Sequence, residues 1–168
     1  TEETQAELTR GLTFVREYDA TGIEFEGDYD FNDYFRIRGN ATWTDAEISK
    51  DLNDDTVVGN TPRRQADFIY TIIPEVQLDR LVAGLVLQGT TDFYLQDNND
   101  LKQKGYTLVN LFANWDITED LTAFFNVNNL TDEFVITESE EGSGAIGSII
   151  RARPLSGRSS SIGITYRF

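Results

Sequence analysis

Apolar and polar residues alternate with a period of two through seven stretches: Thr21 to Asp30, Tyr34 to Glu47, Arg64 to Ile73, Leu81 to Leu95, Gly105 to Ile117, Leu121 to Leu130 and Arg158 to Phe168. Period two places successive side chains on opposite faces of a strand. One face collects Ile23, Phe25, Tyr29, Phe35, Ile37, Ala41, Trp43, Ala66, Phe68, Tyr70, Ile72, Leu81, Ala83, Leu85, Leu87, Val109, Leu111, Ala113, Trp115, Leu121, Ala123, Phe125 and Val127. The other carries mostly charge and amide, as in Glu24, Glu26, Asp28, Asn40, Gln65, Gln88 and Asn126. The pattern predicts an all-β, antiparallel, up-and-down sheet of about seven strands. Each stretch can supply the ~9–11 residues of a tilted membrane strand. A soluble sandwich with one face on its core alternates in the same way, so periodicity leaves both readings open.

The connections separate the two. In order they are short, long, short, long, short, long: Phe31 to Asp33, Ile48 to Arg63, Pro74 to Arg80, Gln96 to Lys104, Thr118 to Asp120, and Thr131 to Gly157. Transmembrane barrels have this asymmetry, with tight periplasmic turns and longer extracellular loops. The aromatics suit two interfacial girdles, with Trp43 and Phe93 near the outer strand ends and Phe31, Phe35, Trp115, Tyr166 and Phe168 near the inner ones.

The last eight residues alternate as well, with Ile162, Ile164, Tyr166 and Phe168 on one face and Ser161, Gly163, Thr165 and Arg167 on the other. The positions of Ser161, Gly163, Tyr166 and Phe168 resemble the terminal signal read by the outer-membrane barrel-assembly machinery. An amphipathic edge strand that ends by accident on Phe would read the same way.

Composition removes several classes. Cys, His and Met are absent, so there is no disulfide framework, no thiolate and no imidazole base or ligand. Without His or Cys the usual hydrolase dyads are excluded, and the carboxylate pair Glu24 and Glu26 points one way along a strand, as lumen charges would; the chain is not expected to be an enzyme. The net charge of −15 argues against nucleic acid as a partner. The longest apolar run, Leu81 to Leu87, is far short of the ~20 residues of a membrane helix, so a membrane-spanning form must be a closed sheet. A chain that begins at Thr1 without a leader is expected to be processed or a piece of a longer protein. Acidic groups in the loops (Asp51, Asp54 and Asp55; Asp97 and Asp100; Glu138, Glu140 and Glu141) offer oxygen to calcium but lack the spacing of a calcium loop, so no metal and no cofactor is expected.

Several segments together resemble the last strands of TonB-dependent outer-membrane receptors: Ala20-Thr21-Gly22-Ile23-Glu24-Phe25-Glu26-Gly27, Gly59-Asn60-Thr61-Pro62, Gly105-Tyr106-Thr107-Leu108-Val109-Asn110, Asn126-Val127-Asn128-Asn129-Leu130-Thr131-Asp132 and Gly157-Arg158. The Asn-Leu-Thr-Asp step and Phe134 depart from the commoner Asn-Leu-Phe-Asp and Tyr. The resemblance implies that residues 1–168 are the C-terminal part of one larger barrel in the outer membrane of a Gram-negative bacterium, with a plug domain outside this chain. It implies uptake of a scarce nutrient, most commonly a ferric siderophore. The implied partners are outer-membrane lipid, the plug, the TonB complex reached through the N-terminal region, and the assembly machinery.

Height in such a wall assigns roles. Thr44, Asp67, Thr90, Asp92, Tyr94, Tyr106 and Asn128 would face a captured ligand near the outer end. Arg36, Arg38, Asn114, Asp116 and Thr122 would face a plug lower down. A polar lumen needs polar residues whatever its cargo, which is the plainer reason for each. A turn centred on Asn32 would set Asp28 and Glu26 across from Arg36 and Arg38, an ordinary cross-strand pairing. Two other architectures stay open: a complete small passive barrel, with an eighth strand from Thr1 to Tyr18, and a soluble carbohydrate-binding β-sandwich.

Overall fold

The computed structural model describes residues 16–139, 149 and 151–168. In chain order it contains β1 (Arg16–Asn32), β2 (Phe35–Asp51), a 3-10 turn (Asp55–Val57), β3 (Phe68–Gln77), β4 (Leu81–Thr90), β5 (Phe93–Tyr94), β6 (Lys102–Gln103), β7 (Tyr106–Asp116), β8 (Leu121–Asn128), β9 (Ile136–Ser139), β10 (Ala152–Pro154) and β11 (Ser159–Tyr166). Seven of these form one antiparallel sheet in the order β1-β2-β3-β4-β7-β8-β11, so every wall strand lies beside its neighbour in sequence. The pairs β5 with β6 and β9 with β10 are small hairpins inside the outer connections.

Register decides the faces, because directly paired residues point to the same side and a slip of one residue would invert a whole strand. Trp43 pairs with Ile23 on one side and Phe68 on the other. Leu85 pairs with Leu111, and Ala113, Phe125 and Ile162 lie in one row. The apolar parity therefore continues without a break from β1 to β11.

The inner turns are tight for local reasons. The Asn32 side-chain oxygen accepts from the Tyr34 and Phe35 amides at 2.9 Å each, closing the first turn. Leu78 and Leu81 exchange backbone hydrogen bonds of 2.7 and 3.4 Å around Asp79-Arg80. The third turn closes through the Ile117 amide on the Leu121 carbonyl at 2.8 Å.

Strand limits differ from the sequence expectation at several places. β1 and β2 rise well past Trp43, and β3 begins at Phe68 rather than Arg64. Pro74, expected to open a turn, lies inside β3 opposite Ile37, and the β3–β4 pairing passes over Ile73 and Pro74, so no ladder bond is asked of the missing N–H. β4 ends at Thr90. Beyond it parity no longer applies: Ala66 and Phe93, expected to face outward, are bridged to each other and buried with Leu95 in the outer connections. Of the stretch Thr1 to Tyr18, which the small-barrel alternative would use as an eighth strand, Thr1 to Val15 lie outside the described residues, and Arg16 to Tyr18 open β1.

Burial is inverted relative to a water-soluble sheet. Among the described residues the buried apolar ones are Ile48, Val57, Ala66, Phe93, Leu95, Val127 and Val135, most of them in or beside the outer connections. The apolar sheet face is open, with Ile23, Phe25 and Ile164 each about 70% exposed. Among the described residues no second sheet covers that face. Exposing such side chains to water forgoes ~1.5–3 kcal/mol apiece, so this face calls for an apolar covering.

Candidate functional site

The outer connections are built on the projecting ends of β1 and β2. The Ile48 amide donates to the Asn60 carbonyl (2.9 Å) and the Gly59 amide to the Ile48 carbonyl (2.8 Å), laying the β2–β3 connection against β2. Asp97 then ties that connection to the next. Its carboxylate accepts the Arg63 amide at 2.8 Å and pairs with Arg16, and its carbonyl accepts the Asn60 side chain at 2.9 Å. Asn99, with φ of 60°, bonds both the Thr61 amide and the Thr61 carbonyl. Asp51, in the part of β2 that rises past the sheet, is held below the usual carboxylate range by the Asn53 amide and the Arg16 guanidinium. Asp51 and Asp97, candidates for calcium in the sequence, both turn on Arg16.

Beneath these connections lies a pocket of about 290 Å³ on the polar parity of the sheet, lined by Arg64, Gln65, Ala66, Ile69, Thr90, Phe93, Tyr106 and Thr137. It combines a guanidinium, an amide, two hydroxyls, a phenol and an aromatic ring. Such a set can hold an oxygen-rich or aromatic group with a negative charge. Arg64 has φ of 63°, a left-handed backbone that is uncommon outside glycine. Glu138 stands 3.7 Å from Arg64 and 3.0 Å from Arg153, linking β9 and β10 to the pocket rim.

The ligand-facing candidates do not all converge. Thr90 and Tyr106 are direct partners and share the pocket. Thr44 lies one connection away, its amide on the Asp67 carbonyl at 2.8 Å. Asp67 precedes β3 and is exposed. Asp92 and Tyr94 lie beyond the end of β4, off the wall where strand parity had placed them. Asp92 accepts the Gly105 amide (2.8 Å) and pairs with Lys102 (3.2 Å), which hold its carboxyl below the usual range. Tyr94 lies in β5 under the Lys102 ammonium. Asn128, at the end of β8, is exposed beside Ser159. Sequence reasoning misses Arg64, Gln65 and Thr137 because the stretch around Gln65 reads as strand and Thr137 belongs to the long connection from Thr131 to Gly157; nothing local marks them.

At the inner end the charges form a ladder. In the pairing Asp28 stands opposite Arg38, Asp30 opposite Arg36 and Glu26 opposite Asn40, two residues displaced from the expected register because the chain turns at Asp33-Tyr34 rather than about Asn32. Arg36 still reaches Asp28 diagonally, with Nε to Oδ1 at 2.6 Å. Arg38 turns instead to Glu75 on β3 at 2.8 Å, a buried carboxylate in a segment expected to be a turn. Thr122 donates to its partner Asp116 at 2.6 Å. Arg80, Asp116, Thr118, Glu119, Asp120, Thr122, Thr165 and Arg167 line a polar pocket of about 330 Å³ beside them. Asn114, on the same parity, lies outside it, opposite Val82 and Phe124.

The Asn-rich segment has a structural role. Asn129 is buried with φ of 49°; its amide donates to Asn110, its side-chain oxygen accepts the Glu133 amide, and its side-chain nitrogen donates to the carbonyls of Glu133 and Ser156. Asp132, also left-handed at 57°, accepts the Arg158 amide at 2.8 Å. Gly157 passes so close that a Cβ there would stand 3.2 Å from Asp132 Oδ1. These contacts lock β7, β8 and the entry to β11 together.

The family model described as "TonB dependent receptor-like, beta-barrel" matches residues 12–130. Comparison with curated proteins gives no match. Among solved structures, the chain is similar to the siderophore receptor PiuA from Acinetobacter baumannii (18% identity, TM-score 0.76, 90% of this chain and 22% of that one). It is likewise similar to the ferric yersiniabactin uptake receptor FyuA from Yersinia pestis (22%, 0.74, 89% and 23%). A third is the ferripyoverdine receptor of the outer membrane of Pseudomonas aeruginosa bound to ferripyoverdine (18%, 0.63, 90% and 20%). At these identities the likeness speaks for the fold, and this chain spans about a fifth to a quarter of those proteins. The seven-stranded up-and-down wall with its tight inner turns and elaborate outer connections, matched by the family model over most of its length, belongs to the β-barrel domain of the TonB-dependent receptors.

Proposed function

We propose that this chain supplies the last strands and outer connections of a receptor that takes up a ferric siderophore across the outer membrane of a Gram-negative bacterium. Members of the family have a plug and interact with TonB. The observation that carries the reading is the outer pocket of Arg64, Gln65, Thr90, Phe93 and Tyr106 on the polar face of a wall whose other face suits lipid. Thr44, Asp67, Asp92, Tyr94 and Asn128 ring the same outer end as secondary contacts or braces. Arg36, Arg38, Asn114, Asp116 and Thr122 would meet the plug, and Ser161, Gly163, Tyr166 and Phe168 the assembly machinery.

Uptake of radiolabelled ferric siderophores by iron-starved cells tests the reading, with the full-length receptor deleted and then restored. One siderophore should depend on the receptor, and Arg64→Ala with Tyr106→Ala should weaken its binding. Rescue of growth on a sugar or cobalamin instead would move the cargo to another class. Topology is tested separately, since the chain has no native Cys. A cysteine at Asn98 should react with an impermeant maleimide on intact cells, and one at Glu119 only after the outer membrane is opened.

A further inference from the structure

On the apolar face of the first three strands, Gly27 and Gly39 are direct partners, and Ala41 follows on β2. Small residues there leave a gap between two aromatic walls, Phe25 and Tyr29 from β1 and Phe68 and Tyr70 from β3. The gap is a trough of about 760 Å³ with an overwhelmingly apolar lining. Farther round the same face, Leu85, Leu111 and Phe125 carry bulk at the matching parity.

We propose that the trough seats one acyl chain of a bilayer phospholipid. The inference rests on the membrane reading above. The trough follows β2 from Ile37 to Ala41, about 13 Å at ~3.3 Å per residue, and so lies along the direction in which the strand crosses the bilayer. It sits between the inner aromatics Phe31 and Phe35, 5.2 Å apart, and Trp43 at the outer end. Water would find few polar partners on its floor. A flat protein surface would rest on the aromatic walls and leave the floor without contacts. A narrow, flexible hydrocarbon chain reaches both walls and floor.

The test uses the full-length receptor in vesicles of phosphatidylethanolamine and phosphatidylglycerol, with a trace of phosphatidylethanolamine bearing a mid-chain diazirine. After irradiation, adducts are mapped by mass spectrometry. Adducts at Phe25, Tyr70 and Ile72 should exceed those at Leu111 and Phe125 several-fold. Ala41→Phe and, separately, Gly27→Leu should remove the excess and leave the Leu111 and Phe125 adducts unchanged. At Gly27 a new side chain would meet only the movable Phe25 ring, so this variant keeps the backbone as it is. Equal labelling of both regions, an excess that survives both variants, or crosslinks to protein instead of lipid would overturn the seat. Absence of lipid adducts anywhere on the apolar face would overturn the membrane reading itself.

Discussion

The ring of Phe124 occupies the space that a side chain at its cross-strand partner Gly163 would need. Gly84 repeats the arrangement, where a Cβ would stand 2.8 Å from the Phe112 ring, and Tyr70 lies over Gly89 on the other face to reach the Thr107 hydroxyl at 2.7 Å. Glycines of this wall thus make room for aromatic rings from the next strand. Gly163→Leu should destabilise the refolded full-length receptor by about 1–3 kcal/mol through overpacking. Adding Phe124→Ala should recover part of that loss in urea titration. No recovery would leave the assembly signal as the reason for glycine at this position.

Asn129 makes both a backbone and a packing demand. Replacing it with Ala strands the Glu133 amide and the Glu133 and Ser156 carbonyls and places a Cβ residue without Asn's tolerance at positive φ. The expected loss is about 2–4 kcal/mol. Asn129→Asp, which keeps the acceptor toward the Glu133 amide, should lose less. Equal losses from the two variants would show that the donated bonds carry the lock.

Ile37, Leu85 and Phe125 lie on the apolar parity, Leu85 and Phe125 near the middle of their strands and Ile37 two residues into β2. Arg at any of the three should cost about 2–4 kcal/mol at the membrane midplane. Arg at Thr122 or Asn126, on the opposite parity, should cost much less. Refolding titrations into lipid vesicles measure both, and equal penalties would reject the assignment of faces.

Asp92 links the end of β4 to Gly105 at the start of β7, and its folded pKa is depressed by the Gly105 amide first and Lys102 second. A depressed carboxyl stabilises the connection at pH above its unfolded value of about 3.9 and loses that contribution as pH falls through the lower folded value. Hydrogen exchange of the Gly105 amide should therefore show protection in the wild type that falls away below that range, after correction for intrinsic exchange. Asp92→Asn should show little protection change over the same window. Parallel profiles would remove Asp92 as the brace.

Phe168 is fully exposed, its ring tilted to that of Tyr166 with centroids 6.4 Å apart. Burial of a whole aromatic is worth ~1.5–3 kcal/mol, and this ring recovers only part of that at an interface. Deleting it should leave assembled receptor nearly as stable and yet lower outer-membrane abundance, with Trp or Tyr at the position restoring it and Ser failing to. Normal abundance of Phe168→Ser would make the terminal pattern incidental.

Alternation alone determined the all-β wall, the strand count, the two faces from Ile23 to Phe125 and the places of the short connections near Asn32 and Thr118, because each depends on neighbours two residues away or on one turn's own side chain. Where chain segments distant in sequence meet, local pattern carried no such information. Parity placed Phe93 and Ala66 on lipid, but β4 ends at Thr90 and the two side chains bury each other across a connection. It placed Glu75 in a turn, whereas β3 runs to Gln77 and gives that carboxylate to Arg38. The outer pocket is the clearest case: Thr90 and Tyr106 were legible from height on the wall, while Arg64 and Gln65 join them only because Asp97, Asn99 and Asn60 fold one connection onto another, and Thr137 arrives on a third connection that Glu138 pairs to Arg64. Strand faces follow from a period of two; a pocket under loops follows from hydrogen bonds between residues more than 30 positions apart, which only the tertiary structure brings within reach.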